Sequence, residues 1–347
     1  MKIAIHDRKN SYSERWIKYC EEKRIPYILV NCYDSDILEQ VKDCQGLMWN
    51  WSHNDYRDQN FARQLSFSVG RMGIKMFPDY NTCWHFDDKV GQKYLLESIG
   101  APLIPSFVFY NKRDALRWVS NNEFPKVFKL RGGAGSANVK LVKSAAQARA
   151  MVNRAFGRGF PSVDRYSTLQ QRLWVLRRDK NLKAAMYLMK GLAKVIKPPR
   201  CLGMLPRHRG YVYFQDFIPG NNYDQRVLVI GNRAVSHRRY IRKNDFRASG
   251  SGLVHIDKEP GDIEAVRIAF EVSNVLSTQC LAFDFLHDQE CSPLIVEISY
   301  ASPLTVYDLT PGYWNVNLEW VEAEVNPQYF IIEDFISSIQ SQLKKAD

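Results

Sequence analysis

No stretch of this 347-residue sequence approaches the roughly 20 consecutive apolar residues needed to cross a bilayer, so no membrane span is expected. The opening segment, MKIAIHDRKN, turns polar after five residues and lacks the apolar core of a signal peptide, which points to a cytoplasmic protein. Cysteine is sparse and unpatterned. The seven (Cys20, Cys32, Cys44, Cys83, Cys201, Cys280 and Cys291) are odd in number, scattered and free of CxxC spacing, which argues against both a disulfide framework and a zinc site. Reduced, mostly buried thiols are expected instead. No GxGxxG follows the first apolar run and no glycine-rich loop ends in GK[ST], so neither a dinucleotide fingerprint nor a P-loop is present. The seven histidines are dispersed in unlike contexts, and no Ser/His/Asp or Cys/His arrangement stands out for nucleophilic catalysis. Internal repeats and low-complexity tracts are absent as well.

What is present is a composition of 45% hydrophobic and 24% charged residues, enough to bury the cores of two or three domains. The formal charge of +11 is unevenly spread. Between Arg149 and Arg209 stand 15 Lys and Arg against two acids, Asp164 and Asp179, while the rest of the chain is slightly acidic. Such a field attracts a polyanion, an acidic membrane face or an anionic substrate; a solvated helical face is the plainer alternative.

The first 80 residues alternate short apolar runs (KIAIHD, PYILVNC, GLMWNW, IKMFPD) with helical patterns, the rhythm of a parallel βαβ sheet. FDDKVGQKYLLESIG then predicts a helix that starts at Asp87 or Asp88 and stops at Gly100. Two strands, SFVFY and PKVFKL, flank a helix, and the second leads into the loop RGGAGSANV. A basic, helix-rich stretch from 144 to 209 follows. Beyond it lie YVYFQDFIPG, DQRVLVIGNRAVSHRRYIR, the loop KNDFRASGSG, a helix, the strands CLAFDFLHD and SPLIVEISYASP, and an amphipathic terminal helix around Tyr329 to Leu343 expected to pack in the core.

Three groups of residues could carry chemistry. Gly132, Gly133, Gly135 and Ser136 lie between two strands, where backbone N–H groups can surround phosphate oxygens, although ligand-free hairpin turns have the same composition. Lys126 and Lys129 lie on the feeding strand, and Lys129, sharing a face with Val127, can direct a point charge at a phosphate. Asp284 and Glu297 sit within apolar strands, where a carboxylate needs a cation or a metal. They suit Mg²⁺ completed by phosphates and water, or equally arginine salt bridges. Arg226 in a strand and Arg247 in a glycine-rich loop suit stabilisation of a phosphoryl group or an oxyanion, or serve as salt-bridge partners.

The order of these features is more specific than any one of them: Lys89 on a helix, Lys129 on a strand, the glycine-rich loop, QDFIPG, DxRV, DFRxSG, then DF and EIS in strands. In this order the sequence resembles the ATP-grasp superfamily, in the branch containing ribosomal-protein glutamate ligase and glutathione synthetase, over roughly Asn81 to Pro303 apart from the basic stretch. The resemblance implies an α/β (α+β) architecture: a Rossmann-like N-terminal pre-ATP-grasp domain over 1–80, then a two-lobed ATP-grasp fold. Its small lobe would occupy 81–143, a basic helical insertion 144–209, and the large C-terminal lobe 210–347. It implies ATP and Mg²⁺ as cofactors. Lys89 and Lys129 would contact the phosphates beneath the loop from Gly132 to Ser136. Gln215, Asp216, Phe217 and Ile218 would meet the adenine, and Asp224 a ribose hydroxyl. Asp284, Glu297 and Ser299 would hold metal, and Arg226 and Arg247 would serve phosphate and acyl phosphate. The chain departs from the family where Glu297, Ile298 and Ser299 replace Glu-x-Asn and where Ser249 replaces a common asparagine. The implied function is ATP-dependent carboxylate-amine ligation through an acyl phosphate, on an anionic carboxylate such as a carboxylated sugar or acidic peptide, with a homodimer as the common assembly. The alternatives are an ATP-grasp phosphotransferase, a thiol or hydroxyl ligase, or a nucleotide-regulated protein that binds RNA or another polyanion. No RNA-binding signature is present, so nucleic acid is not the expected partner.

Overall fold

The computed structural model describes residues 1–53, 55–133, 138–162, 165–196, 206–242, 245–248, 251–256 and 262–346. Its first unit is the expected parallel sheet. Strands β1 (Ile3–His6), β2 (Tyr27–Val30), β3 (Gly46–Met48) and β4 (Lys75–Phe77) run parallel in the order β2-β1-β3-β4. Helices α1 (Ser13–Lys23), α2 (Ile37–Val41) and α3 (Tyr56–Arg71) make the crossovers that parallel pairing requires. Central β1 is buried at every residue, as a strand covered on both faces should be.

After α4 (Tyr80–Cys83) and α5 (Lys89–Ser98), a four-stranded antiparallel sheet forms the small lobe. It contains β5 (Ser106–Phe109), β6 (Lys126–Lys129), β7 (Lys140–Val142) and β8 (Val212–Asp216), in the order β5-β8-β6-β7. Helices α6 (Lys112–Ser120) and α7 (Ala145–Ala155) cover one face, where Ala115, Val119, Ala148 and Val152 meet Phe128, Val142 and Phe214. The basic stretch expected as one insertion from 144 is therefore divided. Ala148, Val152 and Ala155 recur at helical spacing and draw α7 into the lobe's own core, despite its arginines. Among the described residues the later part of the stretch includes a hairpin of two helices, α8 (Arg165–Asp179) and α9 (Leu182–Ile196).

The large sheet runs β13-β12-β9-β10-β14-β15, with β11 (Val254–His255) pairing β10. Its strands are β9 (Tyr223–Ile230), β10 (Arg233–Tyr240), β12 (Cys280–His287), β13 (Pro293–Ser299), β14 (Gly312–Asn315) and β15 (Trp320–Glu322). Alternation along β9 sends Val227 and Val229 toward α10 (Ile263–Val275), while Leu228 and Ile230 join the core of the N-terminal unit. The terminal helix α11 (Pro327–Ala346) closes that second core with Ile332, Phe335 and Ile339, so it packs as expected. Polar contacts fasten the same seam: the Tyr12 hydroxyl donates to Ser302 O at 2.5 Å, and Trp51 N–H donates to the Tyr300 hydroxyl at 2.9 Å. The six described cysteines are all free, five of them buried and Cys291 exposed. No described helix is long and apolar enough to cross a membrane.

Gly46 of β3 reports on this seam. A Cβ there would lie 2.6 Å from Phe335 Cζ and 2.8 Å from Ile339 Cδ1, whereas one at exposed Gly70 in α3 meets nothing within 4 Å. Urea unfolding should find Gly46→Ala destabilised by about 1–3 kcal/mol through overpacking. Gly70→Ala should gain about 0.5–1 kcal/mol from helix propensity. Equal effects would mean that α11 does not press on β3.

Candidate active site

On the face of the large sheet that meets the N-terminal unit, the even-numbered residues of β9 and β12 change character along the strands. Leu228, Ile230 and Ala282 are apolar and buried, whereas Asp224, Arg226 and Asp284 are charged. Register then aligns Arg226 with Asp284 and Asp284 with Glu297, a row across three adjacent strands. Arg226 grips Asp284 with two bonds, Nε to Oδ1 at 2.6 Å and Nη2 to Oδ2 at 2.9 Å. Arg239, from β10, adds Nη2 to Asp284 Oδ2 at 2.7 Å and binds both oxygens of Asp224 at 2.6 Å. Burial alone would raise the Asp284 carboxyl, but the two guanidiniums overcome it and hold it well below the usual carboxylate range. Asp284 is thus an anion fixed in position.

Arg226, expected at phosphate, and Asp224, expected at a ribose hydroxyl, are both engaged in this buried network, because charged side chains on a strand covered on both faces must pair locally. Arg239 was missed, since nothing in RAVSHRRY distinguishes it until register sets it opposite Asp224.

The small lobe delivers its cations to the same place. Lys89, in the first turn of α5, donates from Nζ to Glu297 Oε1 at 2.9 Å and to Gly133 O at 2.8 Å. Burial would lower its pKa, but Glu297 and Asp87 outweigh that and raise it. Lys129 is equally enclosed; burial, reinforced by the charge of Lys89, brings it down to about 8. Asp88 is the N-cap of α5, accepting from Gly91 N–H at 2.9 Å. Asp87, one residue earlier with φ of 53°, lies in the left-handed region and accepts from Gly133 N–H at 2.7 Å. The base of the glycine loop is therefore held through both the N–H and the C=O of Gly133. A Cβ at Gly132 would lie 3.1 Å from Asp87 Oδ2, so a side chain there would require the Asp87 carboxylate to give way by a few tenths of an ångström. Asp87 is a second residue that sequence reasoning missed, having counted it only as a possible cap. The N-terminal unit contributes His53, whose ring centroid lies 6.4 Å from that of Phe86 and whose pKa burial lowers, leaving it neutral at pH 7.

The remaining expected residues lie around this centre. Gln215 is buried with Nε2 donating to Ser106 Oγ, and Asp216 accepts from Lys126 Nζ at 2.6 Å and donates its N–H to Pro105 O. Half-buried Phe217 and Ile218 follow directly, and Phe217 lies 6.2 Å from Phe246 of the loop after β10. In that loop Arg247 is paired with Asp245 at 2.9 Å. Ser299 Oγ donates to Ala301 O at 3.0 Å. Gly135, Ser136 and Ser249 lie outside the described residues. Among the described residues no three His, Cys, Asp or Glu side chains are grouped to hold a metal by themselves. A hollow of about 510 Å³, lined in part by Ile99, Pro102, Ile268 and Leu294, contains none of these residues.

Residues 130–313, more than half of the chain, match the RimK-like ATP-grasp domain family. No curated protein is similar enough in sequence to match. Among solved structures, D-cycloserine synthetase DcsG aligns at TM-score 0.59 with 12% identity, over 98% of this chain and all of that one. D-alanine–D-alanine ligase from Bacillus anthracis, complexed with ATP, aligns at 0.56 with 12% identity over 99% of both chains. The ATP-grasp ligase PsnB, complexed with precursor peptide PsnA2 and AMPPNP, aligns at 0.53 with 10% identity over 98% of both. At these identities the likeness is one of fold.

Arg239 offers a direct check on the buried network. Arg239→Met leaves Asp224 without its partner and should destabilise the protein by about 3–5 kcal/mol in urea unfolding. A loss below about 1 kcal/mol would show the pairs to be solvated.

Proposed function

The chain belongs to the RimK-like ATP-grasp family of ATP-dependent ligases, and we propose that it joins a carboxylate to an amine through an acyl phosphate. The observation that carries this reading is the convergence of Lys89 and Lys129 on Glu297 beneath Gly133, beside an Asp284 that two arginines keep ionised. Such a site suits a polyphosphate: two enclosed lysines can take phosphate oxygens as point charges, and the glycine-rich loop can close over them.

The acids present fit Mg²⁺. Glu297, with its side chain 29% exposed, stands opposite Asp284 in register, and Ser299 brings a hydroxyl two residues later; few hard oxygen donors plus phosphates and water are the usual Mg²⁺ shell. Bound there with ATP, the ion would neutralise phosphate charge. Arg226 and Arg239 fix the direction of the Asp284 carboxylate and keep it deprotonated. Phe217 and Ile218, next to the small-lobe sheet, supply the apolar contact and backbone groups an adenine needs, while Gln215 and Asp216 anchor that strand end.

A substrate carboxylate oxygen attacks the γ-phosphorus, the bond to ADP breaks, and the acyl phosphate forms. An amine then adds to the carbonyl, loses a proton and expels phosphate. Arg247, half-buried in its glycine-containing loop and paired with Asp245, is the cation assigned to the oxyanion of that addition. Water is excluded by the loop that begins at Gly132. The chain's local excess of Lys and Arg favours an anionic carboxylate donor or acceptor, such as a carboxylated sugar or an acidic peptide.

Hydroxylamine trapping tests this reading. Incubation with ATP, Mg²⁺, hydroxylamine and a panel of amino acids, sugar acids and acidic peptides should yield ADP and one hydroxamate. Glu297→Gln should lower the rate by about 100-fold or more. ADP formation without any hydroxamate would favour a phosphotransferase, and ATP binding with no turnover would leave a regulatory binder.

The lysine pair adds a pH signature. Lys129 loses its proton at about 8 in the free protein, and phosphate oxygens stabilise its charged form. ATP binding should therefore take up protons just above pH 8, and affinity should fall by up to about tenfold per pH unit beyond it. Calorimetry in two buffers of different ionisation heat measures the uptake, which Lys129→Met should abolish. Pure buffer-independent heat from the unaltered protein would place Lys129 away from the phosphates.

A further inference from the structure

Helix α9 is apolar on two sides. Its inner side packs on α8 so closely that a Cβ at Gly191 would lie 2.5 Å from Arg172 Cδ, and Arg172 Nη1 donates to Tyr187 O at 2.8 Å. On the outer side Leu182, Met186, Met189 and Ala193 follow one another at i, i+4, i+7 and i+11, a continuous stripe along the helix. All four are exposed, the first three at 84%, 59% and 64%. Exposed Lys183 and Lys190 lie seven residues apart on one flank, roughly 80–100° around from the stripe. The helix contains no acidic residue. Exposed Arg177 and Lys180 continue the positive charge at the turn of the hairpin.

We propose that the outer face of α9 is an interfacial anchor that binds the surface of a membrane rich in anionic lipid. Its leucine and methionines would enter the boundary of the acyl chains while Lys183 and Lys190 reach the headgroups. At about 1.5 Å per residue the 15-residue helix is about 22 Å long and lies along the surface rather than across it.

Three observations favour a lipid surface over other partners. The stripe runs along the outer ridge of a two-helix hairpin, and among the described residues no second wall makes a groove of the kind that receives a peptide helix. The charge on α9 itself has one sign, and the one acid at the turn, Asp179, is paired with Arg178, so the face complements anionic headgroups. A two-fold contact between copies would bring that same charge against itself. The hairpin is also tied to the candidate active site: Arg178 Nη1 donates to Ser251 O at 3.0 Å, beyond Arg247, and the Trp174 ring lies 4.9 Å from the Arg178 guanidinium and 4.7 Å from that of Arg242. An anchored α9 would therefore hold this loop close to the membrane.

The test needs no turnover and is independent of the ligase reading. The intact protein is floated with phosphatidylcholine vesicles carrying phosphatidylglycerol and, in parallel, with vesicles of phosphatidylcholine alone. It should float with the anionic vesicles only, and less as salt is raised. The double substitution Met186→Asp with Met189→Asp should weaken that binding by about tenfold or more, with an unchanged melting temperature because both side chains are already exposed. Lys183→Glu with Lys190→Glu should abolish the preference for anionic lipid. No flotation, or equal flotation of the aspartate variant, overturns the proposal. So does a solution dimer that the aspartate variant splits, or stripe-dependent capture of a labelled acidic peptide by protein that binds no vesicle.

Discussion

Strand β9 has no side that faces water. Val227 and Val229 complete the core under α10, and Leu228 and Ile230 complete the core shared with the N-terminal sheet and α11. A strand placed this way tolerates charge only where register supplies a counter-charge. Asp224 and Arg226 stand on it, and their neighbours across β10 and β12 are Arg239 and Asp284. The ion network is thus a condition for β9 to occupy the centre of the sheet, and it delivers a fixed carboxylate, Asp284, to the cleft.

Charge balance at the site follows from the same burial. Lys89, Lys129, Arg226 and Arg239 stand against Asp87, Glu297, Asp284 and Asp224, four cations and four anions in a small enclosed volume. Glu297 and Asp87 hold Lys89 charged, but Lys129, enclosed and beside Lys89, is left close to losing its proton. The least compensated cation is therefore the one that gains most from an added phosphate. An incoming triphosphate would in turn add more negative charge than Lys129 alone can balance, which is why a divalent cation suits the reading in which Glu297 is a ligand.

Much of this was legible in the sequence because it depends on local pattern. Short apolar runs marked KIAIHD and its neighbours as the strands of a parallel sheet, Gly100 marked the end of α5, and the order from Lys89 to Glu297 pointed to the fold that the family match bears out. What escaped depends on pairing between distant strands. Arg239 is one of several arginines in its segment and becomes distinctive only opposite Asp224. Asp87 looked like a cap, yet its left-handed backbone turns its carboxylate to Gly133 while Asp88 caps the helix. Helix α7 was hidden by net charge: its arginines drew attention although its alanine and valine row decides where it packs.

Lys89 ties the two halves of the site together. Its ammonium has three donors, and in this structure one goes to Gly133 O and another to Glu297. A phosphate arriving at Lys89 would compete with both. Releasing Gly133 O loosens the base of the glycine loop at the moment the loop has phosphate oxygens to enclose, and releasing Glu297 exposes a carboxylate at the moment a cation accompanies the nucleotide. On the proposed reading, one lysine thereby couples loop closure in the small lobe to cation binding on the large sheet. The coupling depends on the burial of Lys89, which is too enclosed to find water in place of either partner.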